Sequence, residues 1–433
     1  MTPMVGIAPI NFKMAETTAI VLCPITRDVF RDPDYKLDEI VSLAAAIHLK
    51  VVWARHLQLG KITPATFIGR GAVDEAIEKI KETGAKLLIV DAQLSPIQQR
   101  NLERACKVKV IDRIGLILEI FGARARTKEG KLQVELAMLT YQRSRLVRAW
   151  THLERQRGGG GFIGGPGETQ QELDRRKIDD QIVRIKKQLV DVQRTRALHR
   201  KSRTAKPFPI ISLVGYTNAG KSTLFNRLTG ASVMAKDLLF ATLDPTMRQI
   251  RLPSGRQIIL SDTVGFIDDL PTHLVVAFRA TLEEVMEADL ILHVQDITHV
   301  EHDVQAEAVA RVLADIGIQD DNAARVINVA NKVDLLPAAE AARARNVAQQ
   351  HGGVAISAQS GAGIDQLLSL IDARLAERDN FHEFKLPIED GEALAWLYRH
   401  GEVVQRKDSK KTIRVGVLLA DDKAARFEKQ FSA

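Results

Sequence analysis

Eight residues, Gly215-Tyr216-Thr217-Asn218-Ala219-Gly220-Lys221-Ser222, carry the strongest chemical signal in the chain. They spell G-x-x-x-x-G-K-S, the spacing of a phosphate-binding loop. Glycines let the backbone turn tightly enough for several N–H groups to point at one anion. A lysine in this place reaches the β- and γ-phosphates of a nucleotide, and a serine hydroxyl ligates Mg²⁺. The apolar run Ile210–Val214 precedes the loop and Thr223–Leu228 follows it. That order, buried strand, glycine loop, helix start, adds the free N–H groups and partial positive charge of a helix N-terminus.

Four further motifs follow in the order that a guanine-nucleotide domain needs. Phe240-Ala241-Thr242-Leu243-Asp244-Pro245-Thr246 supplies threonines that can complete a Mg²⁺ shell once a γ-phosphate is present, with Thr242 and Thr246 competing for the role. Gln257–Asp262 reads as a strand ending in Asp262-Thr263-Val264-Gly265. There, Asp262 can hold Mg²⁺ through water and the Gly265 N–H can sense the γ-phosphate. Asn331-Lys332-Val333-Asp334 ends another strand. Its carboxylate accepts from the guanine ring N–H and amine, which predicts discrimination against ATP on the order of 10⁴-fold. Lys332 is expected to lay its stem on the base. Ser357-Ala358-Gln359 closes the set, with the Ala358 N–H read as a donor to the guanine oxygen. Phe266 stands where related enzymes place a water-orienting glutamine. A phenyl ring cannot orient water, so the expectation is slow hydrolysis by the chain alone, and no catalytic base is assigned.

The elements that must position these residues form α/β layers. Across residues 1–130, strands at Thr18–Cys23, Val51–Ala54, Lys86–Asp91 and Val108–Ile111 alternate with helical patterns, which predicts a parallel α/β domain. Asp91 is read there as a solvated strand end. Residues 207–378 read as a doubly wound sheet with nucleotide at the strand C-terminal edge. Residues 379–433 read as a small α/β appendage, with a helix at Gly391–His400 and strands at Glu402–Val404 and Thr412–Val417, too small for a robust core of its own.

Between these lies a different pattern, over residues 131–206. Leu132, Leu136, Leu139, Leu146, Trp150 and Leu153 follow a 4-3 spacing with Arg143 in the remaining seam position, and Ile178, Ile182, Ile185, Leu189 and Val192 repeat it. The glycine-rich stretch 158–167 interrupts any helix. The expectation is a long antiparallel helical hairpin. Its arginines Arg143, Arg145, Arg148, Arg155 and Arg157 lead into the tip, Arg175, Arg176 and Lys177 lead away, and a basic run from Arg196 to Lys206 follows. Arginines flanking a glycine loop that carries Phe162 suit RNA.

The chain has 433 residues, 45% hydrophobic and 27% charged, with formal charge +7. Its two cysteines, Cys23 and Cys106, argue against a disulfide framework and for a reducing compartment. No stretch nears the ~18 consecutive apolar residues of a membrane span, and no signal peptide is evident. His299 and His302 lack a second ligand cluster and read as loop residues.

With these motifs and the glycine-rich hairpin in place, the chain resembles the HflX family of bacterial GTPases, near the Obg proteins in the translation-factor-related class. The resemblance favours Thr242 over Thr246 and implies Mg²⁺ held by Ser222 and Thr242. It implies a P-loop GTPase that binds the large ribosomal subunit through the basic hairpin. Hydrolysis would be stimulated there and coupled to splitting or rescue of stalled ribosomes under stress. It further implies a cytoplasmic, partly ribosome-bound monomer, with no DNA partner and no stable membrane insertion. Two rival readings use other parts of the chain: an ATP-driven RNA remodeller powered by the N-terminal domain, and a protein-docking scaffold timed by GTP.

Overall fold

The computed structural model describes residues 17–26, 32–148, 170–203, 208–230, 240, 246–263, 265–266, 279–318, 325–377, 379–409 and 411–431. The hairpin tip at 158–167 with Trp150, Leu153, Arg155 and Arg157, and Ala241, Thr242, Leu243, Asp244 and Val264, lie outside the described residues. So do the side chains of Leu146, Arg148 and the basic run beyond Arg194. The described residues form two compact units. One holds those up to Val192, with Phe240 and Arg279–Thr281; the other holds those from Gln193 to Gly230, from Thr246 to Phe266, and from Leu282 onward.

In the first unit, β1 (Thr18–Thr26), α1 (Pro33–Ala46), β2 (Lys50–Leu59), α2 (Arg70–Thr83), β3 (Leu87–Val90), α3 (Pro96–Cys106), β4 (Lys109–Asp112) and α4 (Arg113–Arg124) follow in order. The four strands are all parallel, ordered β2-β1-β3-β4. Every residue of β3 is buried, as a strand covered on both faces requires. Ile20, Leu22, Leu88 and Val90 share a core with Ala76 of α2 and Leu102 of α3. Local chemistry sets the helix ends. Ser95 and Gln98 form a reciprocal capping box with Pro96 in the first turn of α3, and α2 stops at left-handed Gly84.

The hairpin helices are α5 (Lys128–Arg148) and α6 (Gln170–Arg203). Leu132, Leu136 and Leu139 pack against Ile185, Leu189 and Val192. Arg143 pairs with Asp179 at 2.7 Å, near the other end of α5 from Leu132, so the helices run antiparallel. The C-terminal part of α5 is also bound into the first unit. Tyr141 and Arg145 both hydrogen-bond Asp112 at the end of β4, and Asp112 in turn caps α4 through the Gly115 N–H at 2.8 Å. Arg145, expected on the basic face, is therefore a buried anchor, its side chain only 10% exposed. Asp91 departs from expectation in the same way: it is buried and accepts from Arg113 at 2.8 Å and from the Cys23 thiol. Burial and the neighbouring Asp91 carboxylate push that thiol far above the usual range.

The second unit contains β5 (Ile210–Val214), α7 (Lys221–Thr229), β6 (Thr246–Arg251), β7 (Gln257–Asp262), β8 (Leu290–Asp296), α9 (His302–Asp315), β9 (Val326–Asn331), α10 (Ala338–Gln350), β10 (Val354–Ala355) and α11 (Ile364–Ala376), while α8 (Arg279–Met286) has residues in both units. The strand order is β10-β9-β8-β5-β7-β6, parallel except for β6 against β7. Successive connections from β5 go to opposite sides, which opens a crevice at its C-terminal end. Leu213, Phe225, Leu260, Leu292 and Ile327 fill the core below. The C-terminal segment adds β11 (Asp379–Pro387), α12 (Gly391–His400), β12 (Glu402–Asp408), β13 (Thr412–Ala420) and α13 (Asp421–Phe431). Contrary to the sequence reading, it owns a core: Phe384, Trp396, Val415 and Phe427 pack between the sheet and its two helices.

Candidate nucleotide-binding site

The crevice is built by close approach of backbone. A Cβ at Gly215 would sit 2.1 Å from the Val294 carbonyl oxygen of β8. At Gly220, with φ +95°, it would meet Asn331 Nδ2 at 2.2 Å. Both positions therefore demand glycine, one for space and one for space and conformation. Between them, Asn218 adopts φ 61°, a left-handed conformation that Asn tolerates better than most residues.

Lys221 folds back over this loop. Its Nζ donates to the carbonyls of Gly215 at 3.0 Å and Tyr216 at 2.7 Å. Loss of water by burial lowers its pKa to about 8, with the nearby Asp262 charge opposing the shift. Ser222 Oγ donates to Asp262 Oδ2 at 2.8 Å, and Asp262 is fully buried. Thr263 anchors the same strand end by donating to the Leu213 carbonyl at 2.5 Å. Thr217 Oγ1 is buried and makes no hydrogen bond, a polar group left facing the loop. A Cβ at Gly265 would lie 2.9 Å from Thr217 Cγ2 and 3.1 Å from Lys221 Nζ, so Gly265 also lines this cradle.

Phe266 has a structural part. Its N–H donates to the Gly215 carbonyl at 3.1 Å, and its carbonyl accepts from the Thr217 N–H at 2.7 Å. The ring is buried. The residue after Gly265 thus clamps the loop through its backbone and turns its side chain into the protein.

The base-reading residues converge on Asn331. It is 2% exposed, donates from Nδ2 to the Ala219 carbonyl at 2.8 Å, and accepts at Oδ1 from the Ala358 N–H at 2.9 Å. The Ala358 N–H, read as the donor to the guanine oxygen, here meets Asn331, and the two bonds fasten two loops together. Lys332, at φ 69°, pairs through Nζ with Asp296 at 2.6 Å. Val333 is buried, whereas Asp334 stands exposed in the short 3-10 turn Val333–Leu335, its carboxylate open to a ligand. Buried Ser357 accepts at Oγ from the Ser360 N–H at 2.9 Å, and Gln359 is exposed.

Phe240 belongs to the first unit, its ring edge-to-face on Phe121 of α4 with centroids 4.8 Å apart at 80°. Arg227 was not singled out by the sequence. From α7 it donates to the carbonyls of Ala358 and Gln359 and so holds the base-reading loop to the phosphate-loop helix. Its partners lie more than a hundred residues away, with no local signature. Asp296, the partner of Lys332, likewise carries no local signature.

The arrangement fits a nucleotide with a divalent cation. Hydroxyl and carboxylate oxygens at Ser222 and Asp262 are the hard donors that Mg²⁺ takes, and the cradle leaves room only where glycines stand. Among the described residues, no group of three or more His, Cys, Asp or Glu is otherwise placed to hold a metal. None of the described helices is long and apolar enough to cross a membrane.

Comparison with known proteins covers most of the chain. Residues 34–122 match the family described as GTP-binding GTPase N-terminal, and residues 124–203 match GTP-binding GTPase Middle Region. Residues 210–332 match 50S ribosome-binding GTPase, and residues 342–433 match HflX C-terminal domain. The chain is 48% identical to GTPase HflX of Magnetococcus marinus over 411 residues, covering 94% of this chain and 93% of the relative. It is 45% identical to GTPase HflX of Escherichia coli over 389 residues, covering 90% of each. Among solved structures, a complex of SsGBP with GDP superposes with TM-score 0.51 at 24% identity, over 82% of this chain and 98% of that one, a likeness of fold.

Proposed function

Because the chain belongs to the HflX family of GTPases and so hydrolyses GTP, we propose that it acts on the large ribosomal subunit, where hydrolysis is coupled to splitting or rescue of stalled ribosomes. The observation that carries this reading is the match of residues 210–332 to the 50S ribosome-binding GTPases. The exposed cations of α6, among them Arg184, Lys186 and Lys187, support a partner rich in phosphate.

In this reading Gly215–Ser222 holds the phosphates of GTP through backbone N–H groups. Lys221 exchanges its two carbonyl partners for β- and γ-phosphate oxygens. Ser222, Thr242 and Asp262 would hold Mg²⁺, which when bound would supply positive charge beside the phosphate oxygens. Asp334 accepts from the guanine N–H groups, and the Lys332 stem lies along the base. The Gly265 N–H senses the γ-phosphate, so the 240–246 and 262–266 loops order with GTP and release after hydrolysis. The buried Phe266 ring leaves attacking water without a partner at that position, so hydrolysis is slow until the ribosomal particle completes the site.

Co-sedimentation with purified large subunits tests this. Binding is expected to be tighter with a non-hydrolysable GTP analogue than with GDP, and to fall steeply with salt. Equal binding in the two nucleotide states would contradict the switch.

A further inference from the structure

The C-terminal sheet, ordered β11-β13-β12, has one face covered and one face open. Along β11, Phe384 and Leu386 point into the core while Phe381, Glu383 and Lys385 are exposed. Along β13, Ile413, Val415 and Val417 point inward, and Arg414 is exposed. The register puts Lys385 directly opposite Arg414, and Arg414 directly opposite Lys407 of β12. Three cations thus stand in one row across three strands, a span of about 10 Å at the usual strand spacing. Like charges directly opposite one another destabilise a sheet. Glu383, 4.0 Å from Arg414, offsets one of them. In backbone register, Asp379 and Glu402 stand opposite Ala420 and Leu418, at the far end of the strands.

Beside the cation row lies an aromatic ring. Phe381 is 53% exposed and its ring edge lies over Gly416, 2.8 Å from where a Cβ would be. Glycine at that position is what lets the ring lie down on the sheet. The half of the ring that folding leaves in water is apolar surface that a planar partner can cover.

We propose that this open face is a single-stranded RNA platform: Phe381 stacks on a base while Lys385, Arg414 and Lys407 take the adjoining phosphates. Cations and an aromatic together on an open sheet face are what unpaired nucleotides require, since every base has a stacking surface and every link a charge. An acidic peptide would use the cations and leave the ring unsatisfied. The surface is distinct from the nucleotide site and from the hairpin, so the proposal stands whether or not the large subunit is the partner.

The test uses the full chain and a fluorescently labelled oligouridylate of about twelve nucleotides, a length within the site sizes of such surfaces. Phe381→Ala is expected to weaken binding about tenfold, and Phe381→Tyr to bind as the unaltered chain does. Lys385→Gln with Lys407→Gln is expected to lower the log–log salt slope by about 1.4, the share of two phosphates on a single strand. Melting temperatures check that each variant folds. A chain with the hairpin changes Arg175→Gln, Arg176→Gln and Lys177→Gln should keep its dependence on Phe381, which separates this surface from the hairpin. Absence of RNA binding, or unchanged affinity and slope in both the Phe381→Ala and the double-lysine variants, would overturn the proposal. So would tighter binding of a polyglutamate peptide that the lysine changes alone abolish, which would point to an acidic protein partner.

Discussion

Lys221 is the residue at which burial and ligand chemistry meet. Its ammonium is held near neutrality because the loop has taken it out of water, with two carbonyls as stand-ins for phosphate oxygens. A bound triphosphate favours the charged form, so binding takes up a proton wherever the free amine is neutral. The sign follows: GTP affinity is full below the free-state pKa of about 8 and declines above it. Between pH 7 and pH 9 the affinity should drop roughly tenfold, from simple linkage. Lys221→Arg, which stays charged, should show no such decline; nucleotide titrations across that range read it. Asn331 makes a second prediction. Asn331→Ala leaves the Ala358 N–H and the Ala219 carbonyl without their buried partner, costing about 2 kcal/mol of stability, and GDP affinity should fall with it. Melting temperature and GDP titration read the two effects. Gly220→Ala should be at least as damaging to nucleotide binding, because its Cβ falls onto Asn331 in a conformation that L residues resist.

At the scale of elements, Asp112 ties three together. It caps α4, and it holds α5 by Tyr141 and Arg145. Asp112→Ala leaves a buried guanidinium without its carboxylate and should cost about 3–5 kcal/mol, against about 1–2 kcal/mol for Tyr141→Phe. Thermal unfolding of the two variants tests the ranking. This anchor also shows where reading the sequence stops. The heptad seam was legible because Leu132, Leu136 and Leu139 state their period locally, and the phosphate loop because its glycines and Lys221 are contiguous. Arg145 was counted as a surface cation because nothing nearby in the chain announces Asp112, 33 residues upstream. Arg227 and the backbone clamp of Phe266 were hidden as well. One acts through carbonyls far along the chain, and the other through its backbone, which any residue possesses. β6 was missed because Thr246–Arg251 owes its strand character to antiparallel pairing with β7 rather than to an alternating apolar pattern. For the Ala358 N–H, the sequence shows that a donor is present without showing its contact with Asn331.

Over the whole molecule, the hairpin seam and the nucleotide cradle belong to different compact units, and α6 carries residues of both. Phe266 removes the usual means of fast hydrolysis by the chain alone. In the proposed function, catalysis is completed from outside. The direct measurement is the single-turnover rate of GTP hydrolysis by the purified chain, alone and with purified large ribosomal subunits. A rate low alone and raised about 10³-fold or more by the particles, as when a partner completes a GTPase site, is the predicted result. An isolated chain that hydrolyses GTP as fast as the particle-bound one would contradict it.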